Sequence, residues 1–197
     1  MRLALDEEEL TLPETGRVAV IAPDVEFDLS MLPRDRFDVV QSFYPHYTAF
    51  SDLGYNCIPT LGENYAACLI CLPRSKQQAR ALIAQAEAAT PNGLILIDGQ
   101  KLWGIESVLR EIRGRVQILG TLSKAHGKLI WFKTTGACFD DWAQPGAAQN
   151  KDGFHTVPGI FSADAIDPAS ALLAASLPQK LGREVADMGA GWGYLSS

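Results

Sequence analysis

The sequence predicts an α/β protein built on a largely parallel sheet, followed by the opening of a second domain of nucleotide-binding type. Three observations carry this expectation. Short, almost continuous apolar runs alternate with amphipathic helical stripes over residues 1–135, the pattern of a parallel sheet covered on both faces. Residues 136–153 are rich in Gly, Ala, Asp, Asn and Gln and read as a linker. Near the end, EVADMGAGWG at 184–193 reads as a short buried strand entering a glycine-rich turn.

The elements follow in order. GRVAVIAP (16–23) and FDVVQS (37–42) are the first two strands, separated by polar, proline-bearing loops. YAACLICLP (65–73) is a third, apolar almost throughout, as a strand buried on both faces should be. Ser75 with Gln78 three residues on forms a capping box. Ala79, Leu82, Ile83 and Ala86 continue the helix to PNG at 91–93. GLILID (93–98) is a fourth strand, and WGIESVLREIR (103–113) a helix with Ile105, Val108, Leu109 and Ile112 on one side. VQILGTL (116–122) and KLIWFKT (128–134), joined through KAHG, form an antiparallel edge pair. After the linker come a short strand, a turn at Pro158–Gly159, and a helix started by Asp167 and Pro168 and stopped by Pro178.

Charge is unevenly placed. The net of −6 conceals a balance of −8 over residues 1–63, +6 over 64–134 and −4 beyond. The basic third holds Arg74, Lys76 and Arg80, then Arg110, Arg113 and Arg115, then Lys124, Lys128 and Lys133. The first six form a candidate phosphate-facing patch, and a set of solvated helix faces is the alternative. No apolar run approaches the roughly 20 residues that span a membrane. The acidic start MRLALDEEEL is unlike a signal peptide, so a cytoplasmic protein away from membranes is expected. Cys68 and Cys71 make a C-x-x-C, but residues three apart on a strand point to opposite faces and are badly placed to share a metal, so both read as core thiols. His126 and His155 have no Cys or acidic partner at ligand spacing, so no metal is expected. His46 lies among Phe43, Tyr44, Tyr47 and Phe50, which either pack around a loop or stack on RNA bases.

The first strand runs into Ala22-Pro23-Asp24-Val25 without glycine, and Pro23 lacks the N–H a cradle would use. Residues 1–135 therefore read as a nucleotide-fold domain without a cofactor site. In the last segment, Gly189, Gly191 and Gly193 are spaced G-x-G-x-G behind Asp187, and Tyr194 stands where the dinucleotide fingerprint has its third glycine. That spacing points away from NAD and towards S-adenosylmethionine (AdoMet). A tight turn with no ligand is the alternative.

The run HTVPGIFSADAIDPASALLAASLPQKLGREVADMGAGWGYLS resembles the small-subunit ribosomal RNA guanine-N2 methyltransferases of the RsmC type. Pro158, Gly159, Ile160, Phe161 and Ser162 match that family's first segment. Asp167, Ser170, Leu172 and Leu173 match its second, and Asp187, Gly189, Gly191 and Gly193 its third. The resemblance implies a Rossmann-like, methyltransferase-type N-terminal domain (1–135) without cofactor. It implies that residues 154–197 begin a second, class I methyltransferase domain. It also implies AdoMet bound at Phe161, Asp167, Asp187, Gly189, Ala190, Gly191 and Gly193, and a monomer acting on ribosomal RNA of the small subunit. The related large-subunit enzymes look similar in this stretch. The family's N-P-P-[FY] motif, which orients the amino group, is absent from this sequence, and only four residues follow Gly193. No catalytic residue is therefore assigned, and the chain by itself is expected to be inactive. Two other readings stay open: a non-catalytic domain that positions a substrate, and a methyltransferase for protein or small molecules.

Overall fold

The computed structural model describes residues 10–30, 32–143, 148–157, 160–178 and 180–197. The chain divides into two units, Met1–Ala143 and Gln144–Ser197.

In the first unit, seven strands form one sheet: β1 (Val18–Ile21), β2 (Phe37–Val40), β3 (Asn56–Ile58), β4 (Ala67–Cys71), β5 (Leu94–Gln100), β6 (Ile118–Lys124) and β7 (Gly127–Lys133). Their order is β3-β2-β1-β4-β5-β7-β6. β1 to β5 pair in parallel, and β7 runs antiparallel between β5 and β6. This is the Rossmann order with one antiparallel strand inserted, and its switch point lies between β1 and β4. The helices are α1 (Tyr44–Asp52), α2 (Lys76–Ala89) and α3 (Ile105–Arg113).

Strand alternation sorts the apolar residues onto two faces. On one, Ala19, Ile21, Cys68, Ile70, Ile95, Ile97 and Phe132 pack under Ala79, Ile83 and Ala86 of α2 and Ile105, Val108 and Ile112 of α3. On the other, Val18, Val20, Val39, Leu69, Leu96 and Trp131 pack under Leu10, Leu29, Leu32, Phe50 and Tyr55. Cys68 belongs to the first face and Cys71 packs against the second, as their spacing on one strand requires. Ser75 caps α2, its hydroxyl accepting from the Gln78 amide at 3.3 Å. Asp38, buried on β2, accepts from Arg17, from Asn56 Nδ2 at 2.5 Å and from the Tyr65 hydroxyl at 3.0 Å. These bonds tie β2 to its neighbours on both sides.

The β6–β7 turn places Ala125 at φ 48° and His126 at φ 62°. Two successive left-handed residues are the signature of a type I′ hairpin turn. On β6, Gly120 lies against the Trp131 ring, where a Cβ would overlap the indole.

Four expectations need correction. FYPHYTAF is not a loop: α1 occupies it, with Pro45 in its first turn and Phe50 alone buried. The helix was hidden because it has no capping side chain and no broad apolar stripe. The reading of 136–153 as a linker fails over 136–143. Phe139 and Trp142 enter the first core, and the buried Glu87 carboxylate accepts from the amides of Cys138 (3.2 Å) and Phe139 (2.9 Å). Farther on, β8 (Ala148–Gln149), also inside that supposed linker, pairs with β9 (His155–Thr156). Finally, residues 184–188 are not a strand. Val185 is 62% and Met188 92% exposed, and no described strand pairs with them, so their alternation meets no sheet. The turn at Pro158–Gly159 lies outside the described residues. No described helix is long and apolar enough to cross a membrane.

Candidate functional site

The second unit contains the β8–β9 pair, helix α4 (Pro168–Ser176) and the glycine-rich segment. Asp167 caps α4, its Oδ2 accepting from the Ser170 amide at 2.9 Å, and Pro168 follows with φ already suited to a helix. Gly189, Gly191 and Gly193 have φ of 83°, 59° and 89°. At Gly189 and Gly193 an added Cβ would meet nothing within 4 Å, so conformation, not space, selects glycine there. The segment is held by rings. Phe154 lies 4.7 Å from Trp192 and 6.0 Å from Tyr194, centroid to centroid. Asp187 Oδ2 accepts from the Ser196 hydroxyl at 2.7 Å.

Phe161, Asp167, Asp187, Gly189, Ala190 and Gly191 line one cavity of about 110 Å³. Gly193 is not part of its wall and instead precedes the short 3-10 turn Tyr194–Ser196. Ser162, Ser170 and Trp192 also line it; the two serines match the family's segments but were not expected at the cofactor, and Trp192 was not singled out. Ser170 was visible as the third residue after the cap, and Trp192 sits inside the glycine motif itself.

The lining chemistry discriminates between cofactors. Among the described residues it carries two carboxylates, Asp167 and Asp187, and no Lys or Arg. A dinucleotide's phosphates would meet repulsion there, whereas the ammonium and hydroxyl donors of AdoMet would find acceptors and its positive charges would be attracted. The residues present therefore fit part of AdoMet. Their cavity falls well short of the roughly 300–1,000 Å³ that encloses a drug-sized ligand.

In the first unit, β1 ends without any such glycines. Ala22 is left-handed (φ 55°), Pro23 is buried, and Gln41 Nε2 donates to the Pro23 carbonyl at 2.7 Å. Gln41 Oε1 accepts from the Phe43 amide at 2.9 Å, so its amide is engaged at both ends.

The six basic residues of the candidate patch are not equivalent. Lys76 and Arg80 of α2 pair with Glu111 of α3, Arg80 Nη2 lying 2.8 Å from Oε2. Burial pushes the Glu111 carboxyl up, but hydrogen bonds from Lys76 and Arg80 outweigh it and hold the group below its ordinary range. Arg115 makes a two-pronged pair with Asp141 at 2.5 and 2.7 Å and lies 4.6 Å from the Trp142 ring. Its hydrogen bond holds Asp141 below the usual carboxylate range. Arg74 sits over Trp103 at 5.9 Å. Arg110 and Arg113 are exposed in the last turn of α3. Half of the predicted patch thus fastens α2, α3 and the 138–142 segment to one another.

The Methyltransferase small domain family matches residues 151–197. The ribosomal RNA small subunit methyltransferase C of Pectobacterium atrosepticum is 28% identical over 131 residues, which cover 64% of this chain and 37% of that protein. Its counterpart in Serratia proteamaculans is 27% identical over the same extent. The chain therefore spans little more than a third of the length of these curated relatives. Among solved structures, a T. thermophilus 16S rRNA N2 methyltransferase (RsmC), in complex with AdoMet and guanosine, superposes with a TM-score of 0.63 at 19% identity. The superposition covers 84% of this chain and 49% of that one. The chain has a Rossmann-like α/β methyltransferase fold, and over part of its length its sequence is similar to these ribosomal RNA methyltransferases.

Proposed function

We propose that the protein carrying this chain is an AdoMet-dependent methyltransferase acting on the N2 amino group of guanine in small-subunit ribosomal RNA. In this reading the second unit opens the cofactor site, and the first is a substrate-positioning domain without a cofactor of its own. The observation that carries it is the cavity where Asp187 and the left-handed Gly189 and Gly191 meet Asp167 and Phe161, with two carboxylates and no Lys or Arg among its described lining residues. Asp187 and Asp167 would accept hydrogen bonds from the cofactor's hydroxyl and amino groups, and the glycine backbone would allow its close approach. AdoMet, when bound, supplies an electrophilic methyl group. The whole protein would hold that methyl near the guanine amino nitrogen and exclude water, and this chain would contribute the glycine turn and the two carboxylates. The relatives' names and the T. thermophilus superposition support RNA as the substrate class. Of the six candidate residues, the exposed Arg110 and Arg113, with Arg74, are the ones best placed to meet phosphate, since Lys76, Arg80 and Arg115 are paired within the fold.

The test is transfer of labelled methyl from AdoMet to small-subunit RNA by the whole protein, followed by nuclease digestion and chromatography of the nucleosides. Label in N2-methylguanosine is the expected outcome. Label in protein, in a small molecule or in another nucleoside defeats the proposal. The present 197 residues alone are expected to transfer nothing.

A further inference from the structure

A second cavity, of about 240 Å³, lies in the first unit at the carboxyl ends of β1 and β2 and beside the segment that follows β3. This is the edge at which open α/β sheets bind ligands, next to the switch point between β1 and β4. The floor is closed by the Gln41 amide, already engaged with Pro23 and Phe43. Around it stand Ser42, Thr60, Gln78 and Gln85, and the apolar wall includes Leu61 and Leu82. None of the described lining residues is charged. None of those four polar side chains has a hydrogen-bond partner among the described residues.

We infer that this cavity receives a single unpaired nucleobase of the RNA substrate, an inference that rests on the RNA reading above. Size is the first argument: the cavity is below the roughly 300–1,000 Å³ of clefts for drug-sized ligands, so it suits one ring system and not a whole cofactor. Chemistry is the second. Two carboxamides and two hydroxyls offer both donors and acceptors without charge, the complement of a base edge, while Leu61 and Leu82 offer apolar contact to a ring face. The absence of any cation from the lining leaves phosphates outside. The third argument is the pair of rings next in sequence. Phe43 and Tyr44 follow Ser42 of the lining directly and are 57% and 74% exposed, so both are available to stack on the neighbouring base of an extruded nucleotide. Phe43 is set edge-on to His46 at 4.9 Å, which fixes its orientation. Sequence-tolerant reading of unpaired RNA uses this combination of aromatic platform and neutral pocket.

The experiment measures binding of a fluorescent single-stranded hexaribonucleotide, and of a duplex of the same composition, to this chain over a salt series. Leu82→Phe fills the cavity from its half-buried wall, and Phe43→Ala removes the platform from the surface. Each is expected to weaken single-strand binding about tenfold, to leave duplex binding unchanged, and to leave the log–log salt slope at the parent value because no phosphate contact is lost. Should Leu82→Phe fail to fold, Phe43→Ala and Gln85→Ala, both at exposed positions, decide the matter. The inference is overturned if the parent chain binds single strands no better than duplex. It is equally overturned if the folded variants bind within twofold of the parent. The methyltransferase reading fails separately, when guanine N2 stays unmethylated by the whole protein, a measurement that does not involve the cavity.

Discussion

Replacing Glu87 is the sharpest test of how the first unit is closed. Its side chain leaves α2 inside the core and accepts from two main-chain amides, Cys138 at 3.2 Å and Phe139 at 2.9 Å. Phe139 is fully buried, 5.8 Å from Phe132 and 4.9 Å from Trp142. Glu87→Ala leaves both N–H groups without a partner, at about 1–3 kcal/mol each. The segment's alternative is to peel away and expose Phe139 and Trp142, which forfeits about 1.5–3 kcal/mol for each apolar side chain. Either route costs about 2–6 kcal/mol, a large share of the roughly 5–15 kcal/mol that stabilises a domain. Glu87→Gln keeps one acceptor oxygen and should cost about half as much. Because the chain has two units, global melting is a poor readout, and hydrogen exchange at the 138 and 139 amides resolves the effect. Both amides should lose protection in Glu87→Ala and only one in Glu87→Gln. A Glu87→Ala variant within about 0.5 kcal/mol of the parent, with the Phe139 amide still protected, would refute the argument.

Three further outcomes are expected. In the whole protein, Gly191→Val should weaken AdoMet binding at least tenfold while the melting of the first unit stays unchanged, because a β-branched residue resists φ of 59°; equal affinity by calorimetry would show that this glycine is not part of the site. Burial pushes the Asp38 carboxyl up, but hydrogen bonds from Arg17, Asn56 and Tyr65 outweigh it and hold the group below its ordinary value. A depressed folded value means that its contribution is full above the unfolded value of about 3.9 and is lost as pH falls through the folded one. Asp38→Asn should therefore lower stability at neutral pH and flatten the stability profile below about pH 5, and an unchanged acid limb in denaturant titrations would contradict this. Arg110→Gln combined with Arg113→Gln should reduce the log–log salt slope of RNA binding by about 0.7–0.9 per lost phosphate contact, and an unaltered slope would mark them as solvated surface.

Much of the first unit was legible because burial on both faces leaves strands such as ACLIC almost without polar residues. The capped helices were equally plain, since Ser75 and Asp167 do the capping their types favour. What escaped depends on tertiary partners. Helix α1 has a weak local signature and is held by Phe50 against Tyr55. The 138–142 segment looks like a linker because its Gly, Asp and Ala surround only two large aromatic residues, and the acceptor that orders it lies about fifty residues earlier, at Glu87. At the site, the glycines and Asp187 were readable as a motif, whereas the strand inferred before them rested on alternation alone. Without neighbouring strands, alternation at Val185 and Met188 specifies nothing. Charge clustering along the chain showed where the basic residues are, but not that Glu111 and Asp141 neutralise half of those singled out.

The hairpin turn between β6 and β7 has a consequence for how the sheet assembles. Type I′ turns favour Asn and Gly because both central residues are left-handed, yet here they are Ala125 and His126. Each non-glycine residue in that region costs about 1–2 kcal/mol, so the turn opposes the hairpin it closes. An isolated two-stranded ribbon is marginal even with a favourable turn. β7 is secured on its other side by β5, in register from Leu94↔Lys133 to Gln100↔Gly127. Assembly should therefore begin among the parallel strands, with β7 docking on β5 and the turn closing late. Replacing Ala125 and His126 by Asn and Gly would then slow unfolding in stopped-flow measurements and leave the folding rate nearly unchanged.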